Sequence, residues 1–220
     1  MPVELYYELG SPPCAAVYMT AKALELDIDL KEMDLLAGDQ LKPEFLAINP
    51  QHCVPTIVDD ELTIWESRPI MIYLFEKYAK DDKKYLYPED PEKRALINQR
   101  MFFDVGTFYQ KIIDYYFLPV FIKAEQKETD FHRLVEIVSF INFFLAGEKF
   151  VAGNTLTLAD ISLYATTMCL KSCGFDISKY SNVEQWFNHV DSIIPGAEEN
   201  RKAGEIFKQF LANGNNDITE

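Results

Sequence analysis

Val3-Glu4-Leu5-Tyr6-Tyr7-Glu8-Leu9-Gly10-Ser11-Pro12-Pro13-Cys14-Ala15-Ala16-Val17 is the stretch on which the fold turns. Val3, Leu5, Tyr7 and Leu9 alternate with Glu4, Tyr6 and Glu8, the two-residue period of a strand. Gly10-Ser11-Pro12-Pro13 breaks that rhythm, and beyond it Cys14, Val17, Ala21 and Leu24 recur at helical spacing. Pro13 suits a first helical turn, where its missing N–H costs nothing. Ser11 therefore stands in a strand-to-helix turn. Such a serine can cap the helix by accepting from a free N–H. Its hydroxyl can also donate to an anion held at the positive helix end.

Outward from this turn the first half continues as an α/β unit. Residues 27–35 read as a second strand, with a slip in the alternation near Lys31. Pro43 to Ile48 suits a short helix. Pro55–Val58 and Leu62–Trp65 flank Asp59-Asp60-Glu61 as a hairpin. Ile70, Met71, Leu74 and Tyr78 mark a helix from Ser67. The order βαβ, then ββα, gives a compact first domain over residues 1–79. Residues 80–90 (KDDKKYLYPED) are charged and aperiodic and read as a linker. Strand signals then vanish. Helical patterns over 91–124, 128–146, 157–173, 182–193 and 198–211 make residues 91–220 an all-helical second domain. Thr157 and Asp160 have the spacing of a capping box, with Leu156 and Ile161 as its hydrophobic staple. The tail 213–220 (NGNNDITE) is polar and reads as frayed.

Charge and composition narrow the function. Hydrophobic residues at 48% and charged residues at 25% describe a soluble globular chain. A formal net charge of -14 repels phosphate backbones and anionic lipid, which argues against nucleic acid and membrane as partners. Tyr115–Ile122, the greasiest run, is too short to span a bilayer and contains Pro119. The N-terminus has no basic stretch followed by an apolar one, so no signal peptide is expected. The four cysteines, 14, 53, 169 and 173, form no metal-ligand pattern, and a sparse set of thiols suits a reducing cytoplasm. Cys169 and Cys173 share one helical face and read as small core residues.

Three short stretches can carry chemistry. The first is the Ser11 turn. The second is Asn49-Pro50-Gln51-His52-Cys53-Val54-Pro55, where Pro55 opens a strand and is a candidate cis peptide. A cis bond there would offer the Val54 backbone to an extended peptide ligand. The third is Glu66-Ser67-Arg68. Ser67 caps a helix and can face a carboxylate, while Glu66 can take an ammonium, a pairing that suits an amino-acid end group.

Together, in this order and spacing, these stretches resemble cytosolic glutathione transferases, most closely the serine-type insect delta and epsilon classes, with delta favoured. YYELGSPPC, LKPEFLAINPQHCVPTIVDD and LTIWESRPIMIYLFEKY carry the likeness in the first half. DPEKRALINQRMFFDVGTFYQ, GNTLTLADISL and GFDISKY carry it in the second. The resemblance implies a thioredoxin-like first domain followed by an all-α second one. It implies glutathione as co-substrate, no metal, a homodimer and a cytoplasmic detoxification enzyme acting on hydrophobic electrophiles. Dehydrochlorination or peroxide reduction would be side activities. Ser11 would be the catalytic hydroxyl. His52, Val54, Glu66 and Ser67 would hold glutathione, with Arg68 beside them, Gln40 facing the glycyl carboxylate and Pro55 as the family's cis-proline. Leu9, Pro13, Tyr109, Tyr115, Phe117, Phe121 and Phe207 would wall the electrophile pocket, since apolar substrates need such walls.

The sequence departs from the resembled pattern at three places. Gln40 stands where delta members often carry His, and can donate a hydrogen bond but no charge. Ala15 replaces a common Arg, and Pro69 replaces a usual Ala. Two other functions fit the same residues. One is a hydrophobic-ligand carrier with weak or absent catalysis. The other is a thiol transferase using Cys14, since Ser11-Pro12-Pro13-Cys14 is one cysteine short of a redox Cys-x-x-Cys. Cys14 falls on the apolar face with Val17 and Ala21, which favours burial over reactivity.

Overall fold

The alternation in the opening stretch becomes β1 (Val3–Tyr7), with Val3 and Leu5 buried in the core. The computed structural model describes residues 2–216. β1 is flanked by parallel β2 (Ile28–Glu32) and antiparallel β3 (Thr56–Asp59), and β4 (Leu62–Trp65) closes a sheet of order β2-β1-β3-β4. Leu5 pairs with Leu30 on one side and Ile57 on the other, which fixes the register. The second strand is shorter than the expected 27–35 and ends at Glu32, just after the alternation slips near Lys31.

Helices α1 (Pro12–Ala23), α2 (Pro43–Leu46) and α3 (Ser67–Tyr78) complete this half. Cys14, Val17, Ala21 and Leu24 are all buried, as their spacing requires. Asp59 anchors α3 to the sheet, accepting from Tyr73, Lys77 and Tyr78, each at 2.7 Å.

The expected linker is more ordered than its charge suggests. Asp81–Leu86 forms a 3₁₀ helix that buries Leu86 completely and leads to buried Tyr87. One continuous helical run follows. It comprises α4 (Pro91–Phe103), a π-helical segment Asp104–Tyr109, α5 (Gln110–Ile112), a second π-helical segment Ile113–Phe117 and α6 (Leu118–Ile122).

Then come α7 (Glu128–Phe144), α8 (Leu158–Ser172), α9 (Ser181–Ile193) and α10 (Ala197–Asn216). α8 buries nearly every side chain from Leu158 to Leu170 and packs on α1, so the core runs continuously through both halves. Asp160 accepts from the Thr157 N–H at 2.9 Å, as the capping spacing predicts, and also from Trp186 and the Val151 N–H. The tail differs from expectation. α10 continues through Asn216, and residues 217–220 lie outside the described residues. No helix among the described residues is long and apolar enough to cross a membrane.

Candidate functional site

Ser11 is the N-cap of α1, in extended backbone, and its Oγ accepts from the Cys14 N–H at 3.4 Å. Proline in the first turn of α1 starts the helix sharply, so the positive helix end opens directly beside the Ser11 hydroxyl. Cys14 is buried, and burial pushes its thiol up to about 12. It is a protonated core residue at neutral pH, which removes it as a nucleophile. Cys169 is buried and Cys173 half-buried, and both are free thiols.

The loop from Asn49 to Thr56 is pinned from inside. Asn49 is fully buried, and its Nδ2 donates to the Cys53 carbonyl at 3.1 Å and to Thr56 Oγ1 at 2.9 Å. This anchor was missed as a functional element, although Asn-Pro is a turn signal in its own right. The Val54–Pro55 peptide is cis. His52 is exposed at φ 46°, and Glu66 is exposed at φ 72°. Left-handed backbone at a non-glycine residue costs on the order of 1–3 kcal/mol and gathers at functional sites. Among the described residues Glu25, Asp60 and Lys123 share this backbone, so His52 and Glu66 are two of five.

Ser67 begins α3 and is buried. Arg68 behind it is also buried, and each nitrogen of its guanidinium has a partner. Nη1 donates to Ser67 Oγ at 2.7 Å, Nε donates to Ser162 Oγ at 3.0 Å, and Nη2 is paired with Asp104. Ser162 also donates to Asp104. Arg68 thus reaches across the molecule and holds Ser67 from behind. Asp104 and Ser162 were not foreseen, because nothing local in the sequence links positions 36 and 94 residues from Arg68.

Pro13, Cys53, Val54, Pro55, Glu66, Ser67, Arg68, Val105 and Tyr109 line one cavity of about 140 Å³. The structure therefore brings together Val54, Pro55, Glu66, Ser67 and Arg68 with Pro13 and Tyr109. Burial raises the Tyr109 hydroxyl, so it stays protonated and can donate. Ser11 does not line that cavity; it borders a separate one with Leu9 and Gly10. A third, small cavity lies under α10, between Gly10, Pro12, Cys169 and Phe207. Gln40 Nε2 donates to the Leu35 carbonyl at 3.2 Å, so part of its donor capacity is spent within its own loop.

The expected aromatic wall divides. Phe117 lies on Phe207 with ring centroids 4.1 Å apart, and Phe121 reaches Phe210 at 5.7 Å. Phe207 is buried, whereas Phe121 is 61% exposed. Tyr115 turns the other way, onto Tyr116 at 4.7 Å and onto Phe131 of α7 at 5.6 Å. Tyr115 therefore does not join the cluster that Phe117, Phe121 and Phe207 form.

Comparison with known proteins agrees with this geometry. Residues 5–83 match the family model for the glutathione S-transferase N-terminal domain, and residues 108–193 match its C-terminal domain. A delta-class glutathione transferase from Nilaparvata lugens is 41% identical, with a TM-score of 0.93, covering 97% of this chain and 100% of that one. An epsilon-class enzyme from the housefly Musca domestica is 34% identical, with a TM-score of 0.90, covering 97% and 98%. A glutathione transferase homologue from Drosophila mojavensis, solved with bound glutathione, is 33% identical, with a TM-score of 0.87, covering 96% and 97%.

Proposed function

The chain belongs to the glutathione S-transferase family, and from that premise we propose that it activates the thiol of glutathione through Ser11 and conjugates it to hydrophobic electrophiles, working as a homodimer. The observation that carries this reading is the Ser11 hydroxyl at the N-terminus of α1, two residues before Pro13, which lines the Val54–Glu66–Ser67 cavity. The γ-glutamyl end of glutathione would meet Glu66 and Ser67, its cysteinyl backbone would pair with Val54, and its glycyl end would lie toward His52 and Gln40. Arg68 would act through Ser67, since each of its guanidinium nitrogens already has a partner within the protein.

The energetics suffice. A free thiol of pKa about 8.5 is only ~3% thiolate at neutral pH. Lowering that value by about two units takes roughly 2.7 kcal/mol of preferential stabilisation. A hydrogen bond to a charged group contributes about 1.5–3 kcal/mol, and a positive helix end adds roughly 0.3–1 kcal/mol. Ser11 Oγ accepts from the Cys14 N–H through a lone pair, which leaves the hydroxyl proton for the thiolate. The thiolate then attacks an electrophilic carbon, and Ser11 forms no covalent bond. The same thiolate would serve dehydrochlorination or peroxide reduction.

A second reading, a carrier of hydrophobic ligands with little turnover, is favoured by the engagement of Gln40 with Leu35. Steady-state turnover of an aryl halide by wild type and Ser11→Ala separates the two. Turnover that falls at least tenfold in the variant, with the fold intact, supports the enzyme. Wild-type turnover in Ser11→Ala refutes the role of Ser11, and absence of turnover in both favours the carrier.

A further inference from the structure

A cleft remote from Ser11 opens in the helical half, between α9 and the loop that follows α7. It holds about 350 Å³, within the ~300–1,000 Å³ usual for small-molecule sites. One wall is the face of α9 that carries Asn182, Gln185, Trp186 and His189 at helical spacing. The other includes Glu148 and Lys149 of the loop. The cleft shares no lining residue with the cavities beside Ser11, under α10 or beside Ser67.

Protein contacts alone fix both walls. Asn182 donates its backbone N–H and its Nδ2 to Asn142, at 3.1 and 3.0 Å. Trp186 is buried and donates its Nε1 to buried Asp160 at 2.9 Å. In the loop, the Glu148 N–H donates to the Leu145 carbonyl at 3.2 Å and the Lys149 N–H to Asn154 Oδ1 at 3.2 Å. The side-chain groups that remain are unclaimed. Among the described residues Glu148 and Lys149 form no ion pair, and Asn182 Oδ1 and the Gln185 amide have no hydrogen-bond partner. His189 rests on Phe150 with ring centroids 5.5 Å apart, and its Nε2 is buried without a partner. Lys149 Nζ lies 5.5 Å from the centre of the same Phe150 ring. A buried nitrogen without a partner costs free energy that a polar occupant would offset.

We propose that this cleft binds a small zwitterion of the dipeptide class, with its ammonium on Glu148 and its carboxylate on Lys149. Its amide N–H would donate to Asn182 Oδ1, its amide carbonyl would accept from Gln185, and a further N–H would complete His189. Charge selects the class. A simple anion meets Glu148 and the repulsion of a chain of net charge -14. A simple cation meets Lys149. A zwitterion answers both charges and carries no net charge of its own. The site goes beyond the proposed transferase reaction and uses none of its residues.

The test is titration of the full chain at neutral pH with glycylglycine, N-acetylglycylglycine and glycylglycinamide. The second probe lacks the ammonium and the third lacks the carboxylate. Trp65→Phe leaves Trp186 as the single tryptophan, so a change in its emission reports occupancy of the cleft. Glycylglycine is expected to bind one per chain, about fivefold tighter than either blocked form, as exposed ion pairs allow. Glu148→Gln should abolish the preference over the acetylated form, and Lys149→Met the preference over the amide. Glu66→Ala should leave glycylglycine affinity unchanged. Equal binding of the three peptides, or unaltered preferences in both loop variants, would overturn the proposal. So would binding without a Trp186 signal, or loss of affinity in Glu66→Ala, which would put the dipeptide in the cavity of Val54 and Ser67. If wild type fails to turn over an aryl halide while glycylglycine still binds, the transferase reading falls and this site stands.

Discussion

Ser11 Oγ caps α1 by accepting from the Cys14 N–H, and the donor role proposed for it is compatible with that, since a hydroxyl can accept from one partner while it donates to another. Ser11→Ala removes both. Loss of the cap should cost about 0.5–2 kcal/mol of stability. Loss of the thiolate donor should cost roughly 10- to 100-fold in turnover, the rate equivalent of a charged hydrogen bond. The thiol of bound glutathione, titrated by its ultraviolet absorbance, should move back toward about 8.5. A variant that loses stability but keeps wild-type turnover and thiol titration would leave Ser11 as a cap alone. Glu8 offers a second residue-scale prediction with the opposite sign on stability. Its carboxyl is raised from an ordinary 4.5 to about 7, chiefly by desolvation. Between those values the folded chain holds a proton that the unfolded chain releases. Stability attributable to Glu8 is therefore full below about 4.5 and falls as pH rises, until it is lost above about 7. Glu8→Gln should melt like wild type near pH 5 and higher than wild type at pH 8. Parallel melting curves at both pH values would show that Glu8 is not desolvated.

At the scale of elements, two π-helical segments, Asp104–Tyr109 and Ile113–Phe117, carry the aromatic residues proposed for the electrophile wall. Each π turn inserts an extra residue and advances the side chains that follow around the helix axis. Tyr115 and Phe117, two residues apart, point to opposite sides of any helix, and here they meet different neighbours. Their spacing already separates them, but a stretch apolar on every face does not say which side meets the pocket. By contrast β1, α1, the β3–β4 hairpin and α3 were legible, since each has an apolar and a polar side and a Gly, Pro or Ser boundary. The 3₁₀ turn at Asp81–Leu86 was hidden by its charges, with Leu86 alone carrying its burial. The site was legible where it is local, at Ser11, Val54–Pro55 and Glu66–Ser67. It was illegible where Arg68 reaches Asp104 and Ser162, because those partners meet only in the folded chain. Phe117→Ala, at the Phe207 cluster, should reorder turnover across a panel of electrophiles and leave glutathione affinity within about twofold, since apolar contacts of this kind discriminate by only ~1–3 kcal/mol. Tyr115→Ala should instead lower stability by up to about 3 kcal/mol, the low end for a buried aromatic, and leave the ranking unchanged. Reordered electrophiles in Tyr115→Ala would show that Tyr115 belongs to the pocket wall after all.

Assembly and coupling belong to the whole molecule. Two-fold pairing of the chain predicts twice the chain mass by light scattering at micromolar concentration, and a monomer there would refute the homodimer. Coupling between the halves can be argued further from the ion pair that joins them. Arg68 belongs to the sheet half and Asp104 to the helical half, and both are buried. Breaking a buried pair from one side costs about 3–5 kcal/mol, because the surviving charge is left without a partner. Asp104→Asn keeps the shape and removes the charge, so it should lower the melting temperature strongly. It should also weaken glutathione, although Asp104 does not line the Val54–Ser67 cavity. The route is Arg68, which holds Ser67 Oγ at 2.7 Å and would lose its own anchor. Glu66→Ala supplies the contrast. Glu66 is exposed, so its loss should leave the melting temperature nearly unchanged while removing the counter-charge for an ammonium. Both variants should therefore weaken glutathione by isothermal titration, and only Asp104→Asn should lower the melting temperature. Wild-type glutathione affinity in a destabilised but folded Asp104→Asn would reduce the pair to a brace between the halves. It would leave Ser67 positioned by α3 alone.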